Sequence, residues 1–334
     1  MQPFEYAAPS TKEQAVSLLG NGWQDAGILA GGTDMLSTMK DDVSSPRRLV
    51  DIKGIKELAG IEYKAQTGLR IGALSTLEQL REHADVQKQY PSLVQATEGI
   101  TSPQMRNRGT VGGDLCQRPR CWYFRSGFGL LAKDETGRAL VPDGENRYHA
   151  IFGDQGGNQG PAYFVNPSSL APALIALGAK VRLFSAKGPR ELLLEQFFTI
   201  PKADGERENV LRPNEILTDI FIPAGPGTWR NATYEVRQKE ALDWPLATAS
   251  VAVQMKNGRI ASARVVLGHV APVPWRAAEA EKTLQGKAVN EAIAAEAGKA
   301  AVSGARPLSQ NAYKVRLAQV AVKRALLRAA QGGA

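Results

Sequence analysis

Two glycine pairs stand where the chain could cradle a phosphate. The first lies in Ile28-Leu29-Ala30-Gly31-Gly32-Thr33-Asp34-Met35 and ends a short apolar run; the second lies in Asn107-Arg108-Gly109-Thr110-Val111-Gly112-Gly113-Asp114, among hydroxyl and amide donors. A glycine pair at the end of a strand lets backbone N–H groups approach a phosphate with no Cβ in the way. Neither segment is the Rossmann fingerprint, because no Gly-x-Gly-x-x-Gly follows a strand with an acidic residue about twenty positions on. One such loop alone reads as a turn. Two, from different parts of the chain, could clamp a dinucleotide, which offers two ends and a central diphosphate. Cys116 and Cys121 are too few for a disulfide framework and lack the second pair that a tetrahedral zinc site needs. His149, beside Tyr148, reads as a surface or hydrogen-bonding residue rather than a ligand.

The elements that must position these residues follow from capping signals and periodicity. Ser10 and Glu13 form a capping box that opens a short amphipathic helix ending at Gly20, and apolar runs at 26–30 and 48–52 read as strands, so the start is βαβ-like. The alternation over 69–73 predicts another strand, and Ser75 with Glu78 a helix running to about residue 84. From 117 to 160 there is little periodicity but many Gly, Asp and Arg residues, and a loop that long usually serves a site or an interface. A helix within 167–178 and strands at 180–184 and 215–222 precede the linker Gly225-Pro226-Gly227. Beyond it, strands at 249–255 and 260–267 flank Asn257-Gly258, a hairpin signal because both turn positions tolerate positive φ. Helices expected at 277–302 and 312–330 would pack on that hairpin sheet. The predicted organisation is therefore lobe 1 at 1–60, lobe 2 at 61–225 carrying an insertion at 116–160, and a small α+β domain at 226–334.

The chain has 334 residues with 43% apolar and 22% charged, enough for several packed units without disulfide or metal staples. No apolar run approaches the roughly eighteen residues that span a bilayer, and the amino terminus lacks the basic stretch and apolar core of a secretory signal. The expected location is the cytoplasm, or the periplasm by co-export with a signal-bearing partner. The net charge of +8 invites a nucleic-acid reading, but the positive residues are scattered apart from Arg118, Arg120 and Arg125 in one loop and Lys314, Arg316, Lys323, Arg324 and Arg328 near the carboxyl end. A solvated helix face or a rim for an acidic partner fits that distribution better.

Taken together, Ala30-Gly31-Gly32-Thr33-Asp34, the segment from Arg106 to Asp114, and Asp243-Trp244-Pro245-Leu246-Ala247 resemble the FAD-binding subunit of molybdenum hydroxylases, the xanthine dehydrogenase and aldehyde oxidoreductase family. The resemblance covers essentially the whole chain. It implies an α+β architecture: a two-lobed FAD-binding fold of the vanillyl-alcohol-oxidase/PCMH type, then a small α+β domain of the CO dehydrogenase flavoprotein type. It implies that Ile28, Leu29, Ala30, Gly31, Gly32, Thr33, Asp34 and Met35 cradle the FAD diphosphate, and that Asn107, Thr110, Val111, Gly112, Gly113 and Asp114 hold the cofactor from the other lobe. Leu217 matches a position that packs on the flavin, Ser169 stands where relatives commonly carry an anchoring Asp, and Arg237 and Lys239 lie where relatives place a basic residue near the flavin. No catalytic acid or base and no metal ligand is implied for this chain.

The segment Cys116-Gln117-Arg118-Pro119-Arg120-Cys121 resembles the opening of an insertion that, in one subgroup, holds a 4Fe-4S cluster on four cysteines. Only two are present here, so no such cluster is expected. The implied enzyme oxidises an aldehyde or N-heterocycle at molybdopterin in a large partner, passes electrons through a 2Fe-2S small partner, and delivers them from FAD to an external acceptor. Two rival readings are a stand-alone flavin oxidase and a cofactor-depleted assembly scaffold.

Overall fold

Short apolar runs punctuated by glycine and proline dictate short strands, and the chain gathers them into three sheets. The computed structural model describes residues 1–153, 162–225 and 229–332. The tail of the insertion and the linker residues Pro226 and Gly227 lie outside the described residues.

The first sheet has β1 (Glu5–Ala7), β2 (Gly27–Leu29) and β3 (Arg48–Asp51), parallel and in the order β1-β3-β2. Helix Met35–Lys40, which the sequence reading did not place, connects β2 to β3. Val50 of β3 packs with Ala15 and Val16 of helix Lys12–Leu18. That helix is capped one residue later than expected: Thr11 Oγ1 accepts from the Gln14 amide at 3.2 Å, while Ser10 donates to the Gln14 side chain instead. An acceptor on Thr11 satisfies an otherwise orphaned first-turn donor, which Ser10 stands too far out to reach.

The second sheet is antiparallel, with β4 (Ile61–Lys64), β5 (Gly68–Gly72), β6 (Lys180–Ser185), β7 (Gly188–Leu193) and β8 (Ile216–Pro223) in the order β4-β5-β8-β6-β7. Helix Leu77–Glu82 is held by a reciprocal capping box between Thr76 and Gln79, not Ser75 and Glu78. Ser75 is buried and donates to the Gly60 carbonyl at 3.0 Å. The second glycine pair is also corrected from the expected loop. Thr110 Oγ1 accepts from the Gly113 amide at 3.1 Å and starts helix Val111–Cys116, so Gly112 and Gly113 are first-turn helical residues.

The third sheet has β9 (Trp229–Val236), β10 (Ala247–Lys256), β11 (Arg259–Gly268) and β12 (Trp275–Arg276) in the order β12-β11-β10-β9. Asn257 and Gly258 take φ of 52° and 73°, the geometry that a type I′ hairpin requires. Helices Ala278–Leu284, Glu291–Ala301 and Tyr313–Ala330 bury their alanine-rich faces on this sheet. The expected helix 277–302 is thus two, interrupted at Gly286, whose φ of 75° a right-handed helix cannot accommodate. No helix among the described residues is long and apolar enough to cross a membrane.

Candidate functional site

The two glycine segments meet across the boundary between the first two sheets. A Cβ built on Gly31 would lie 1.9 Å from the Arg108 carbonyl oxygen, so the loop after β2 presses against the end of helix Pro103–Arg108. From this junction a cleft of about 1270 Å³, open mouth included, runs to the hairpin around Arg207 and to β8. A second cavity of about 920 Å³, open mouth included, continues it; Thr33, Asp34, Thr110, Gly113 and Gln117 line both.

The two segments are not chemically equivalent. Among the described residues, no backbone N–H from Gly31 to Met35 meets an acceptor, whereas the Val111, Gly112 and Gly113 amides are taken by Ser75 O, Ala73 O and Thr110 Oγ1. The first loop therefore presents a run of unsatisfied donors to the cleft, the state in which a backbone binds an anion. Gly32 sustains that course with a φ of 79°. The second glycine pair supplies shape, since a Cβ on Gly112 would stand 2.8 Å from the Ala73 Cβ. These are the features that a bound diphosphate needs, and the residues present fit one.

Ile28, Ala30, Gly31, Gly32, Thr33, Asp34, Met35, Thr110, Gly112, Gly113 and Leu217 line the first cavity. Asp114 and Ser169 line the second. Leu29, Asn107, Val111, Arg237 and Lys239 line neither: Val111 is fully buried, Asn107 is exposed with its side-chain amide on the Pro103 carbonyl at 2.9 Å, and Lys239 is exposed. Removing the Thr110 cap should cost about 1 kcal/mol. Thr110→Val is accordingly expected to melt about 1–2 °C lower, and an unchanged melting temperature would show that the cap does not hold helix Val111–Cys116.

Asp34 lines both cavities and has a further task. Its carboxylate accepts from the Arg118 amide at 2.7 Å, from Arg120 at 2.5 Å and from Arg125 at 2.8 Å, so it fastens the first loop to the insertion. Burial works to raise its pKa, but Arg120, the Arg118 amide and Arg125 together outweigh that and hold it below its usual value. Arg120 also lies over the Trp244 ring at 4.9 Å, joining the phosphate-type loop to the far cavity.

Several site residues carried no local sequence signal. Glu208, 2% exposed, reaches the first cavity from the hairpin around it and pairs with Arg118 at 2.5 Å. Arg207 lies 4.0 Å over the ring of Trp23 and closes the cleft's end. Glu235 is paired with Arg237 at 2.7 Å, yet burial pushes its carboxyl up to about 7. Burial likewise lifts Asp114 to about 6, against hydrogen bonds from Ser168 and the Leu170 amide. Burial carries the Cys116 thiol to about 12 and also raises that of Cys121, so neither is a poised thiolate. His149 is buried, not at the surface, with its Nε2 3.2 Å from Cys121 Sγ.

With this geometry in place, known proteins supply the context. A family model described as the FAD binding domain in molybdopterin dehydrogenase matches residues 2–225, and one described as the CO dehydrogenase flavoprotein C-terminal domain matches residues 232–329. The chain is 30% identical to the aldehyde oxidoreductase FAD-binding subunit PaoB of Escherichia coli K12 over 96% of each chain. It is 32% identical to the carbon monoxide dehydrogenase medium chain of Hydrogenophaga pseudoflava, over 97% of this chain and 96% of that one. Among solved structures it resembles that organism's carbon monoxide dehydrogenase lacking the Mo-pyranopterin moiety, with a TM-score of 0.74 and 29% identity, covering 99% of this chain and 98% of the other. It also resembles the reconstituted CO dehydrogenase of Oligotropha carboxidovorans, with a TM-score of 0.76 and 25% identity over 99% of each chain.

Proposed function

The chain belongs to the family of FAD-binding domains of molybdopterin dehydrogenases, and from that premise we propose that it is the FAD-carrying electron-transfer subunit of a molybdenum hydroxylase acting on an aldehyde or N-heterocycle. The observation that carries the reading is the run of unsatisfied amides from Gly31 to Met35 on the wall of a dinucleotide-sized cleft. Those amides hold the diphosphate. Arg207 and Trp23 bound the nucleotide end, and Asp114, Ser169 and Trp244 bound the ring end. Leu217 packs beside the cofactor, while Arg237 acts through its pairing with Glu235.

Bound FAD supplies two-electron redox chemistry; the chain supplies binding, orientation and exclusion of water. The three sheets support the same division proposed from the sequence, near residue 60 and at 226. The partners in this reading are a molybdopterin-binding large subunit and a 2Fe-2S small subunit, with the exposed arginines of helix Tyr313–Ala330 a candidate rim for one of them.

FAD titrated into flavin-free chain is expected to raise its melting temperature by mass action, and FMN, which lacks the second phosphate and adenosine, to raise it far less. Equal stabilisation by FMN would mean that the dinucleotide cleft is not used. A tagged chain purified from its host should bring both partners with it. A chain that runs alone and oxidises an organic substrate at about 10 per second would establish the stand-alone oxidase instead.

A further inference from the structure

We propose that a third cavity, behind the wall formed by Arg120 and Trp244, is the site where an uncharged quinone-type acceptor collects the electrons this chain carries. The proposal rests on the FAD reading above. The cavity measures about 850 Å³, open mouth included, and shares Arg120, Asp243, Trp244 and Pro245 with the second, ring-end cavity, so the two are neighbours across these residues. Trp122, Tyr148 and Phe164 give it planar apolar walls.

Its polar groups are few and unusual. His149 and His269 are 3% and 2% exposed, both line the cavity, and His149 Nδ1 and His269 Nε2 have no hydrogen-bond partner among the described residues. A buried polar atom without a partner is rare enough to need an explanation, and a ligand is one. Burial and the nearby Lys314 hold His149 near 4 and His269 near 3, so both rings are neutral at physiological pH and each keeps one N–H. In the tautomer that protonates the free nitrogen, each ring offers a carbonyl oxygen a donor. The basic groups beside them are already spent: Lys314 Nζ donates to the Tyr148, His149 and His269 carbonyls, and Arg120 is paired with Asp34. A nicotinamide dinucleotide would bring two phosphates to a cavity with no cation to spare, whereas a quinone brings a flat apolar ring and two carbonyl acceptors. The transfer balances without another reactant: FADH2 gives two electrons and two protons, both quinone C=O groups become C–OH, and FAD is restored.

The probe is duroquinone, whose fully substituted ring does not alkylate Cys121, titrated calorimetrically into the FAD-loaded complex. One saturable site per chain is expected. His149→Phe should weaken binding about tenfold, His149→Gln should recover part of it, and Leu246→Trp, which fills the cavity, should abolish it, with FAD content and melting temperature retained. Absence of saturable binding to an FAD-loaded complex, binding unaltered by His149→Phe and Leu246→Trp, or displacement of duroquinone by NAD would each overturn the assignment. Since binding is read without turnover, a chain that takes up duroquinone but fails to bind added FAD would overturn the electron-carrying role while leaving the cavity's ligand class standing.

Discussion

Gly31→Val is expected to produce a folded chain that has lost its flavin. The Cβ of any residue at this position would lie 1.9 Å from the Arg108 carbonyl oxygen and 2.8 Å from its carbonyl carbon, far inside van der Waals contact with backbone. Backbone on one side and an insertion fastened through Asp34 on the other leave the loop no small adjustment, so it must swing away from helix Pro103–Arg108 and take its amides with it. Gly31 belongs to none of the hydrophobic cores, so the three sheets should survive. An affinity loss of about 100-fold, ~2.8 kcal/mol, is the expected scale. It is read as visible flavin absorbance per protein and as loss of the FAD-induced rise in melting temperature. Gly54→Ala is the matched control, because its nearest neighbour would be the Pro9 carbonyl oxygen at 3.8 Å. A Gly31→Val chain that retains full FAD would mean that the diphosphate lies elsewhere.

That prediction depends on a distinction the sequence does not contain. Both glycine pairs are equally visible as Gly-Gly, and both suggest a cradle; only the hydrogen-bond pattern separates Gly31 to Met35, with free amides, from Val111 to Gly113, whose amides are consumed by Ser75, Ala73 and Thr110. Gly31 and Gly112 are glycine because other protein atoms approach them, which is a tertiary fact. Long buried strands such as β10 and β11, with Asn257-Gly258 between them, were legible because pattern and turn chemistry agree. The short strands β1, β4, β7 and β12 were not, because a few residues at a sheet edge carry little periodicity and owe their conformation to the neighbour they pair with. Asp34 was legible as part of a motif, but its partners are 84 to 91 residues away. The burial of His149 and His269 depends on an insertion docked against the C-terminal unit, which local reading cannot foresee.

The docking of that insertion should leave a signature in the pH dependence of stability. Lys314 is 1% exposed, donates to three carbonyl oxygens and has no carboxylate partner among the described residues, and burial pushes its pKa from the usual 10.5 down to about 7. Between those values the unfolded chain binds a proton that the folded chain does not, so stability must rise with pH, by up to ~1.4 kcal/mol per unit. Four other buried groups act at lower pH. Glu235 and Asp114, raised to about 7 and about 6, favour the folded state at lower pH and lose that contribution as pH climbs to those values. His149 and His269, lowered to about 4 and about 3, lose theirs as pH falls below 6.5. Cys116 and Cys121, both raised by burial from 9.0, begin to favour the unfolded state from about pH 8, where the unfolded thiols start to ionise and the folded ones do not. From roughly pH 7.5 to 8.5 the slope is therefore dominated by Lys314, and denaturant unfolding should gain ~1 kcal/mol across it. Lys314→Met, similar in length and without a proton to exchange, should flatten the profile over that interval even though it leaves the three carbonyls unpaired. A wild-type profile already flat there, or a slope that persists in Lys314→Met, would mean that Lys314 stays charged in its carbonyl cage and that the insertion is held by an ammonium instead of an amine.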